Sequence, residues 1–189
     1  MIGGFQTENV LASVGLALSL GFEQAEIISA CNNLKPVKGR MDIICTPGKN
    51  AKIVIDYAHT PDALEKAIKS LRVHTSGKLI TVFGCGGDRD KTKRALMGGI
   101  ASELSDVVIV TDDNPRTENA ATIRKEIMSA CKKGKEIGDR IEAIKYAISI
   151  LENGDSILLA GKGHEDYQII GAEKFPFDEF AIVQGLLNV

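Results

Sequence analysis

The residues of this chain that could carry chemistry follow directly after apolar runs. The clearest case is Asp113-Asn114-Pro115-Arg116, which comes after the β-branched run 107–111. That run is continuous and does not alternate, which predicts a parallel strand covered on both faces. An acid, an amide and a guanidinium together suit a zwitterion, with its ammonium and carboxylate, better than a phosphate alone. The tetrapeptide is equally compatible with an ordinary type I turn.

A second polar segment, Asp-Tyr-Ala-His-Thr-Pro-Asp at 56–62, follows another apolar run. Thr60 is placed to cap a helix, and Pro61 suits the first helical position. These local roles leave Asp56 and His59 without a structural explanation. A histidine near the end of a strand is a ligand contact in a minority of proteins, about one case in three, so a structural role for these residues stays open.

Two glycine-rich segments also contain candidate functional residues. The segment 84–91, Gly-Cys-Gly-Gly-Asp-Arg-Asp-Lys, fails as a dinucleotide fingerprint because Arg89 stands where the third glycine belongs. The Arg89 guanidinium could instead hold a carboxylate bidentately, although the segment is also typical of a flexible turn and a solvated helix start. The segment 161–165, Gly-Lys-Gly-His-Glu, offers close backbone approach at Gly161 and a carboxylate at Glu165, or is simply a mobile polar loop. The chain contains no G-x-x-x-x-G-K-[ST] motif, so a phosphate grip of that type lies elsewhere.

The surrounding pattern predicts the elements that position these residues. Strand and helix alternate after a Pro- and Gly-punctuated linker at 35–40, which indicates a doubly wound α/β sheet. In such sheets ligands bind just beyond the carboxyl ends of the strands, where all the candidate residues fall. We predict strands near 41–45, 52–57, 78–83, 106–112, 155–160 and 167–171, with a short edge strand at 135–137. Helices are predicted at 6–20, 24–33, 62–73, 91–104, 119–133, 139–151 and 177–187.

Composition narrows the function classes. The formal net charge is −2 and no Lys/Arg-dense run occurs, so nucleic acid is not the expected partner. No apolar stretch approaches about 20 residues, and no signal peptide is recognisable, so no membrane span is expected. The four scattered cysteines predict buried free thiols in a reducing cytoplasm rather than disulfides or a zinc site.

Five motifs in order carry a family resemblance. The chain resembles the Mur ligases through Gly39-Arg40-Met41-Asp42 and the segments 56–62, 84–91, 113–116 and 161–165. Within the family it is most similar to members that add meso-diaminopimelate to UDP-MurNAc-L-Ala-D-Glu. The resemblance implies that residues 39–189 form the Rossmann-like C-terminal domain. It also implies that residues 1–38 are the helical tail of the central ATPase domain, so that the chain is a C-terminal fragment.

The resemblance also implies roles for single residues. The incoming amino acid would be held by Arg89, Asp113, Asn114, Pro115, Arg116, Gly161 and Glu165. The nucleotide would be closed over by Arg40, Asp56 and His59. No catalytic residue and no metal ligand is expected in this part, because the main site for ATP and Mg²⁺ belongs to the central domain. Arg116 would select meso-diaminopimelate, since lysine-adding relatives usually lack that arginine.

Further expectations follow. Alone, the chain should not catalyse ligation, because it lacks the P-loop and the magnesium ligands. The helices at 6–20 and 24–33 should expose an apolar face that could drive self-association or disorder. Two alternatives stay open at this stage: a sister ligase adding lysine or another amino acid, and a non-catalytic binding module of the same fold.

Overall fold

The fold is that of a doubly wound α/β sheet, as the sequence predicts. The structure is a computed structural model that describes residues 4–187, except for the side chain of Phe5. Residues 1–3 of the predicted domain 1–38 and residues 188–189 of the predicted domain 39–189 lie outside the described residues. The helices are α1 (Gly4–Ser19), α2 (Gln24–Cys31), α3 (Pro61–Arg72), α4 (Lys93–Leu104), α5 (Ala120–Met128), α6 (Arg140–Ser149) and α7 (Glu179–Leu187). The strands are β1 (Asp42–Cys45), β2 (Lys52–Asp56), β3 (Leu79–Phe83), β4 (Val107–Val110), β5 (Gly134–Glu136), β6 (Ser156–Ala160), β7 (Tyr167–Ile170) and β8 (Glu173–Pro176).

Six strands form the main sheet in the order β1-β2-β6-β3-β4-β5. All neighbours are parallel except β1, which runs antiparallel to β2 at one edge. The register aligns Asp56, Ala160, Phe83 and Val110 across β2, β6, β3 and β4. The chain therefore leaves four neighbouring strands at one level, which brings the predicted polar segments to one edge of the sheet.

Alternate residues of the strands bury two hydrophobic cores, one on each face of the sheet. Val54, Phe83, Val108 and Leu158 pack against α3, α4 and α5 on one face. Their neighbours along the strands, such as Ile55 and Ile109, pack against α6 and α7 on the other. Burial on both faces explains why the strands read as continuous apolar runs.

Three details differ from the expectation. The predicted strand at 167–171 lies outside the main sheet, where β7 pairs with an unpredicted β8 in an antiparallel hairpin around Gly171. The predicted helix at 119–133 ends at Met128, and a turn leads into β5. Cys85 and Cys131 are buried free thiols as expected, but Cys31 is only half-buried and Cys45 is exposed.

The two N-terminal helices expose apolar surface, as predicted. They border a groove of about 570 Å³ between α1, α2 and the following segment. The exposed apolar side chains are Leu11, Leu16, Leu18, Leu20, Phe22, Ile28, Leu34 and Val37. Self-association through this face stays a prediction. Within residues 4–187, no helix is both long enough and apolar enough to cross a membrane.

Candidate functional site

A cleft of about 550 Å³ lies beyond the carboxyl ends of β2, β6, β3 and β4. This volume is within the range of small-molecule sites, roughly 300–1,000 Å³. Six of the seven predicted amino-acid contacts line it, together with His59 from the predicted nucleotide set. These lining residues are His59, Arg89, Asp113, Asn114, Arg116, Gly161 and Glu165. Pro115 is buried beside the cleft and does not line it.

Hydrogen bonds to backbone carbonyls join the loops after β3 and β4. The N–H of Gly87 donates to the carbonyl of Asn114 at 2.9 Å, and Arg116 Nη1 donates to the carbonyl of Gly87 at 2.8 Å. A Cβ on Gly87 would overlap the carbonyl group of Pro115, so only glycine allows this approach. The glycine-rich segment therefore serves close packing against the Asp-Asn-Pro-Arg turn, which the alternative of a merely flexible loop does not describe.

Two guanidinium groups supply positive charge to the cleft. Arg89 is exposed, and no described residue accepts a hydrogen bond from it. Arg116 is half-buried and adopts a left-handed backbone conformation with φ of 51°. Its backbone N–H donates to Ile169 and its carbonyl accepts from Gly171, so the β7–β8 hairpin holds it in that conformation. Such a conformation costs a non-glycine residue about 1–2 kcal/mol, which the surrounding contacts must offset.

Two carboxylates supply negative charge. Asp113 is buried, and one of its oxygens accepts from the backbone N–H of Asn114 at 2.7 Å. Gly161, with φ of 114°, lies against the other oxygen of Asp113 and leaves no room for a side chain there. Glu165 accepts a hydrogen bond from the side-chain amide of Asn114 at 3.0 Å. With Lys93 and Asp90, which also line it, the cleft combines several cations and several anions, the arrangement that a zwitterionic ligand requires.

Asn114 acts inside the protein as well as at the cleft surface. Its Oδ1 accepts from the backbone N–H of Ile169 at 2.9 Å and from Lys162 Nζ at 3.1 Å. Its Nδ2 donates to Glu165. Most of its hydrogen-bonding capacity is therefore spent on joining the loops after β4 and β6 to the β7–β8 hairpin.

The three residues predicted to meet the nucleotide separate into two environments. Arg40 and His59 are exposed and both contact Tyr57, with the Arg40 guanidinium 4.6 Å from the Tyr57 ring centre and the His59 ring at 4.6 Å. Asp56 is buried beneath them, and its carboxylate accepts the backbone N–H groups of Met41 and Ala58, both at 2.8 Å. Burial raises the pKa of Asp56, while these two hydrogen bonds oppose the rise.

Asp56 thus has a structural role that the sequence does not reveal. Met41 has φ of 47°, and its hydrogen bond to Asp56 fixes the linker as it enters β1. Asp56 and Arg40 line a separate cavity of about 190 Å³ beside α3. Only His59 of the three reaches the larger cleft.

Further residues belong to the cleft or its support and were not predicted. Tyr57, Lys93 and Tyr167 line the cleft, and Lys162 is fully buried behind it. The glycines on either side of Lys162 were a signal for close packing at that position. Tyr167 could not be found from sequence, because it reaches the cleft only through the placement of the β7–β8 hairpin. Cys85 also lines the cleft, but burial raises its pKa to about 12, so the thiol is inert.

The described residues do not fit a metal centre or a complete nucleotide site. Among residues 4–187, no group of three His, Cys, Asp or Glu side chains is arranged to hold a metal ion. Of the predicted nucleotide set, Arg40 and His59 are exposed and Asp56 is buried. These three side chains alone do not form a site for phosphoryl transfer.

The comparisons with known proteins define the family. The family model described as "Mur ligase, glutamate ligase domain" matches residues 39–163, and the chain belongs to this family. The resemblance drawn from the five motifs is thereby confirmed.

The curated relatives are larger proteins. The chain is 50% identical over 187 residues to the UDP-N-acetylmuramoyl-L-alanyl-D-glutamate–2,6-diaminopimelate ligase of Agrobacterium fabrum, covering 99% of this chain and 38% of that protein. It is 48% identical to the enzyme of the same name from Rhizobium meliloti, covering 100% of this chain and 39% of that protein. The chain thus spans about two fifths of the length of these relatives.

Solved structures agree on the fold. A structure of UDP-N-acetylmuramoyl-L-alanyl-D-glutamate–2,6-diaminopimelate ligase aligns with a TM-score of 0.78 and 38% identity, covering all of this chain and 39% of that one. Folylpolyglutamate synthase from Thermotoga maritima aligns with a TM-score of 0.59 and 26% identity, covering 85% of this chain and 36% of that one. Both contain the six-stranded arrangement within a longer chain.

Proposed function

We propose that this chain is the amino-acid-binding part of an ATP-dependent ligase that adds meso-diaminopimelate to UDP-MurNAc-L-Ala-D-Glu during peptidoglycan precursor synthesis in the cytoplasm. The observation that carries the proposal is the joint presence of Arg89, Arg116, Asp113 and Glu165 around one cleft. Relatives about half identical to this chain bear the name of that ligase, which supports the proposal.

The charges of the cleft match the charges of this amino acid. Meso-diaminopimelate carries a carboxylate and an ammonium at each end. Arg89 and Arg116 each offer a guanidinium fork that suits a carboxylate. Asp113 and Glu165 each keep one carboxylate oxygen without a donor among the described residues, and we assign these oxygens to the ammonium groups of the ligand. Lysine has a single carboxylate, so it would leave one guanidinium unpaired.

Arg116 is the residue that we assign to the distinguishing carboxylate. Its Nη1 is committed to Gly87, which fixes the direction of the fork and leaves other N–H groups for a ligand. A preorganised guanidinium loses little conformational freedom on binding. The residue therefore favours a ligand with a carboxylate at both ends over one without.

The remaining reactants belong to the rest of the protein in this proposal. ATP supplies the phosphoryl group that activates a substrate carboxylate, and Mg²⁺ accompanies it, with the main site in a central ATPase domain. Residues 1–38 would be the tail of that domain, which accounts for their exposed apolar face. Arg40 and His59 would face the nucleotide from this side, while Asp56 holds the linker in place.

Calorimetric titration of the chain with meso-diaminopimelate tests the proposal. We expect saturable binding, with L-lysine binding at least tenfold more weakly, and loss of that preference in the Arg116→Ala variant. An effect of this size corresponds to about 1.4 kcal/mol, typical of a hydrogen bond to a charged group. Arg72→Ala is the matched control, since Arg72 pairs with Asp106 on the surface, outside the cleft. Absence of binding by the unaltered chain, or equal binding of both amino acids, would contradict the proposal.

A further inference from the structure

Lys162 is an ammonium group buried directly behind the cleft. Its side chain has 0% exposure, and it does not line the cleft. Gly161 and Gly163 flank it with positive φ angles of 114° and 55°, a backbone course that turns the lysine inward. Burial lowers the pKa of Lys162, and the nearby Arg140 lowers it further. An apolar side chain would fill this space at lower cost, so the charge requires an explanation.

Three polar side chains close a triangle at this point. Lys162 Nζ donates to Asn114 Oδ1 at 3.1 Å and to Glu165 Oε2 at 3.3 Å. Asn114 Nδ2 donates to the same Glu165 oxygen at 3.0 Å. Two donors thus converge on one oxygen of the carboxylate. Among the described residues none donates to Oε1 of Glu165, although the residue lines the cleft.

Aromatic rings complete the surroundings of the ammonium. Nζ lies 6.0 Å from the centre of the Tyr167 ring and 5.7 Å from that of Phe177. Ring faces at this distance attract a cation and exclude water. The Lys162 ammonium is therefore enclosed by the protein, and its hydrogen bonds to Asn114 and Glu165 connect it to the cleft.

We propose that Lys162 is a positioning residue of this site, which fixes the Asn114 amide and turns one oxygen of the Glu165 carboxylate towards the ammonium of the bound amino acid. The inference rests on the proposed function, because it takes the ligand to be an amino acid. Within the cleft it makes Glu165 a preset acceptor whose orientation does not depend on the ligand. The preorganisation lowers the entropy lost on binding.

The charged and titratable groups around Glu165 come from several elements. Lys162 contacts it from the same loop, and Asp113 after β4, Tyr57 after β2 and Tyr167 on β7 line the same cleft. Arg140 is occupied by Glu179 and by the Ala160 carbonyl. Among the described residues, Lys162 is thus the cation in hydrogen-bond contact with this carboxylate. Without it, the Glu165 oxygen would keep only the Asn114 amide as a donor, and the carboxylate would be held less firmly.

The test combines titrations of five proteins with meso-diaminopimelate: the unaltered chain, Lys162→Met, Glu165→Gln, the double variant and the control Lys145→Met. Lys145 is a surface lysine paired with Glu142 on α6. We expect Lys162→Met to weaken binding about tenfold. Because Lys162 acts through Glu165, the same substitution in the Glu165→Gln background should change affinity less than threefold. The conservative variant Lys162→Gln, titrated in addition, should recover part of the affinity that Lys162→Met loses, because it keeps a hydrogen-bond donor. Lys145→Met should match the unaltered chain.

The outcomes separate the two proposals. If the unaltered chain does not bind, the proposed function fails and this inference fails with it. If it binds and Lys162→Met binds equally well, only the inference is overturned. Thermal unfolding of each variant shows whether it folds, and Lys162→Gln, which keeps a donor without the charge, is the second variant. If neither Lys162 variant folds, the lysine serves the fold and the positioning role is overturned.

Discussion

Asp88 accepts two hydrogen bonds from Thr117, one from its backbone N–H at 3.2 Å and one from its hydroxyl at 2.8 Å. The backbone N–H of Asp88 in turn donates to Glu118 at 2.7 Å. Asp88 immediately precedes Arg89, and Thr117 immediately follows Arg116. The relative placement of the two guanidinium groups of the cleft is therefore set by a reciprocal clamp between their neighbours.

Removal of the clamp should weaken ligand binding without removing a ligand contact. Asp88→Ala should lower the affinity for meso-diaminopimelate about tenfold, because Arg89 and Arg116 would no longer be held at a fixed separation. Asp88→Asn is the matched control: asparagine tolerates the φ of 55° at this position and keeps an acceptor for Thr117. Calorimetry of both variants measures the difference. Equal affinities would show that the clamp does not set the site.

Substitutions of Arg116 should affect ligand preference and stability differently. Both Arg116→Ala and Arg116→Gly remove the guanidinium, so both should lose the preference for meso-diaminopimelate over lysine. Glycine adopts the φ of 51° without strain, so the glycine variant should be more stable than the alanine variant by about 1 kcal/mol. Urea unfolding measures the difference in the free energy of unfolding. A more stable alanine variant would mean that the left-handed conformation is not enforced.

The stability of the fold should depend on pH through Glu118. Hydrogen bonds from Arg94, from the backbone of Asp88 and from Lys91 lower the pKa of Glu118 from 4.5 to about 2. Because the folded-state pKa is the lower one, this contribution is present above pH 4.5 and is lost as the pH falls towards 2. Urea unfolding between pH 2 and 6 should show a steeper fall for the unaltered chain than for Glu118→Gln. Parallel curves would rule out a contribution from Glu118.

The buried pair of Arg140 and Glu179 ties α7 to the sheet beneath the cleft. Arg140 Nε donates to Glu179 at 2.7 Å, and its Nη2 donates to the carbonyl of Ala160 at the end of β6. Arg140→Met should destabilise the fold by about 3–5 kcal/mol, because it leaves the Glu179 charge buried and unpaired.

The double variant Arg140→Met with Glu179→Leu provides the control for that prediction. It removes both charges together, so it should recover much of the loss caused by Arg140→Met alone. Urea unfolding of the single and double variants gives the two free energies of unfolding. A double variant less stable than Arg140→Met would contradict the prediction, because it would show that Glu179 stabilises the fold even without Arg140.

The sequence predicts the edge of the sheet where the site lies, because the carboxyl ends of parallel strands share one edge. Asp113, Arg89 and Glu165 could be assigned to that edge from the apolar runs before them. The strand order could not, since nothing local specifies that β6 enters between β2 and β3. It is this insertion that places Glu165 next to Asn114.

Contacts distant in sequence account for the rest. The role of Asp56 depends on Met41, which lies 15 residues earlier in the chain, and its function as a backbone acceptor leaves no trace in local pattern. The β7–β8 hairpin forms its own two-stranded sheet and is linked to Arg116 by the bridge between Arg116 and Ile170, which periodicity does not indicate. Residues with internal hydrogen bonds, such as Asn114, look the same in sequence as residues free to meet a ligand.

The linker contacts the loop after β6 at Gly39. The Gly39 backbone lies so close to Gly163 that a Cβ on Gly39 would overlap it. A Cβ on Gly163 would in turn lie 2.6 Å from the Cβ of Tyr57 and 2.9 Å from the carbonyl of Gly39. During evolution the two positions are therefore constrained together, because both must remain glycine. A substitution at one cannot be compensated by a side-chain change at the other, because each added Cβ would meet the backbone of its partner. Amino-acid substitutions in this part of the molecule should therefore be tolerated on the surrounding surface and not at the junction.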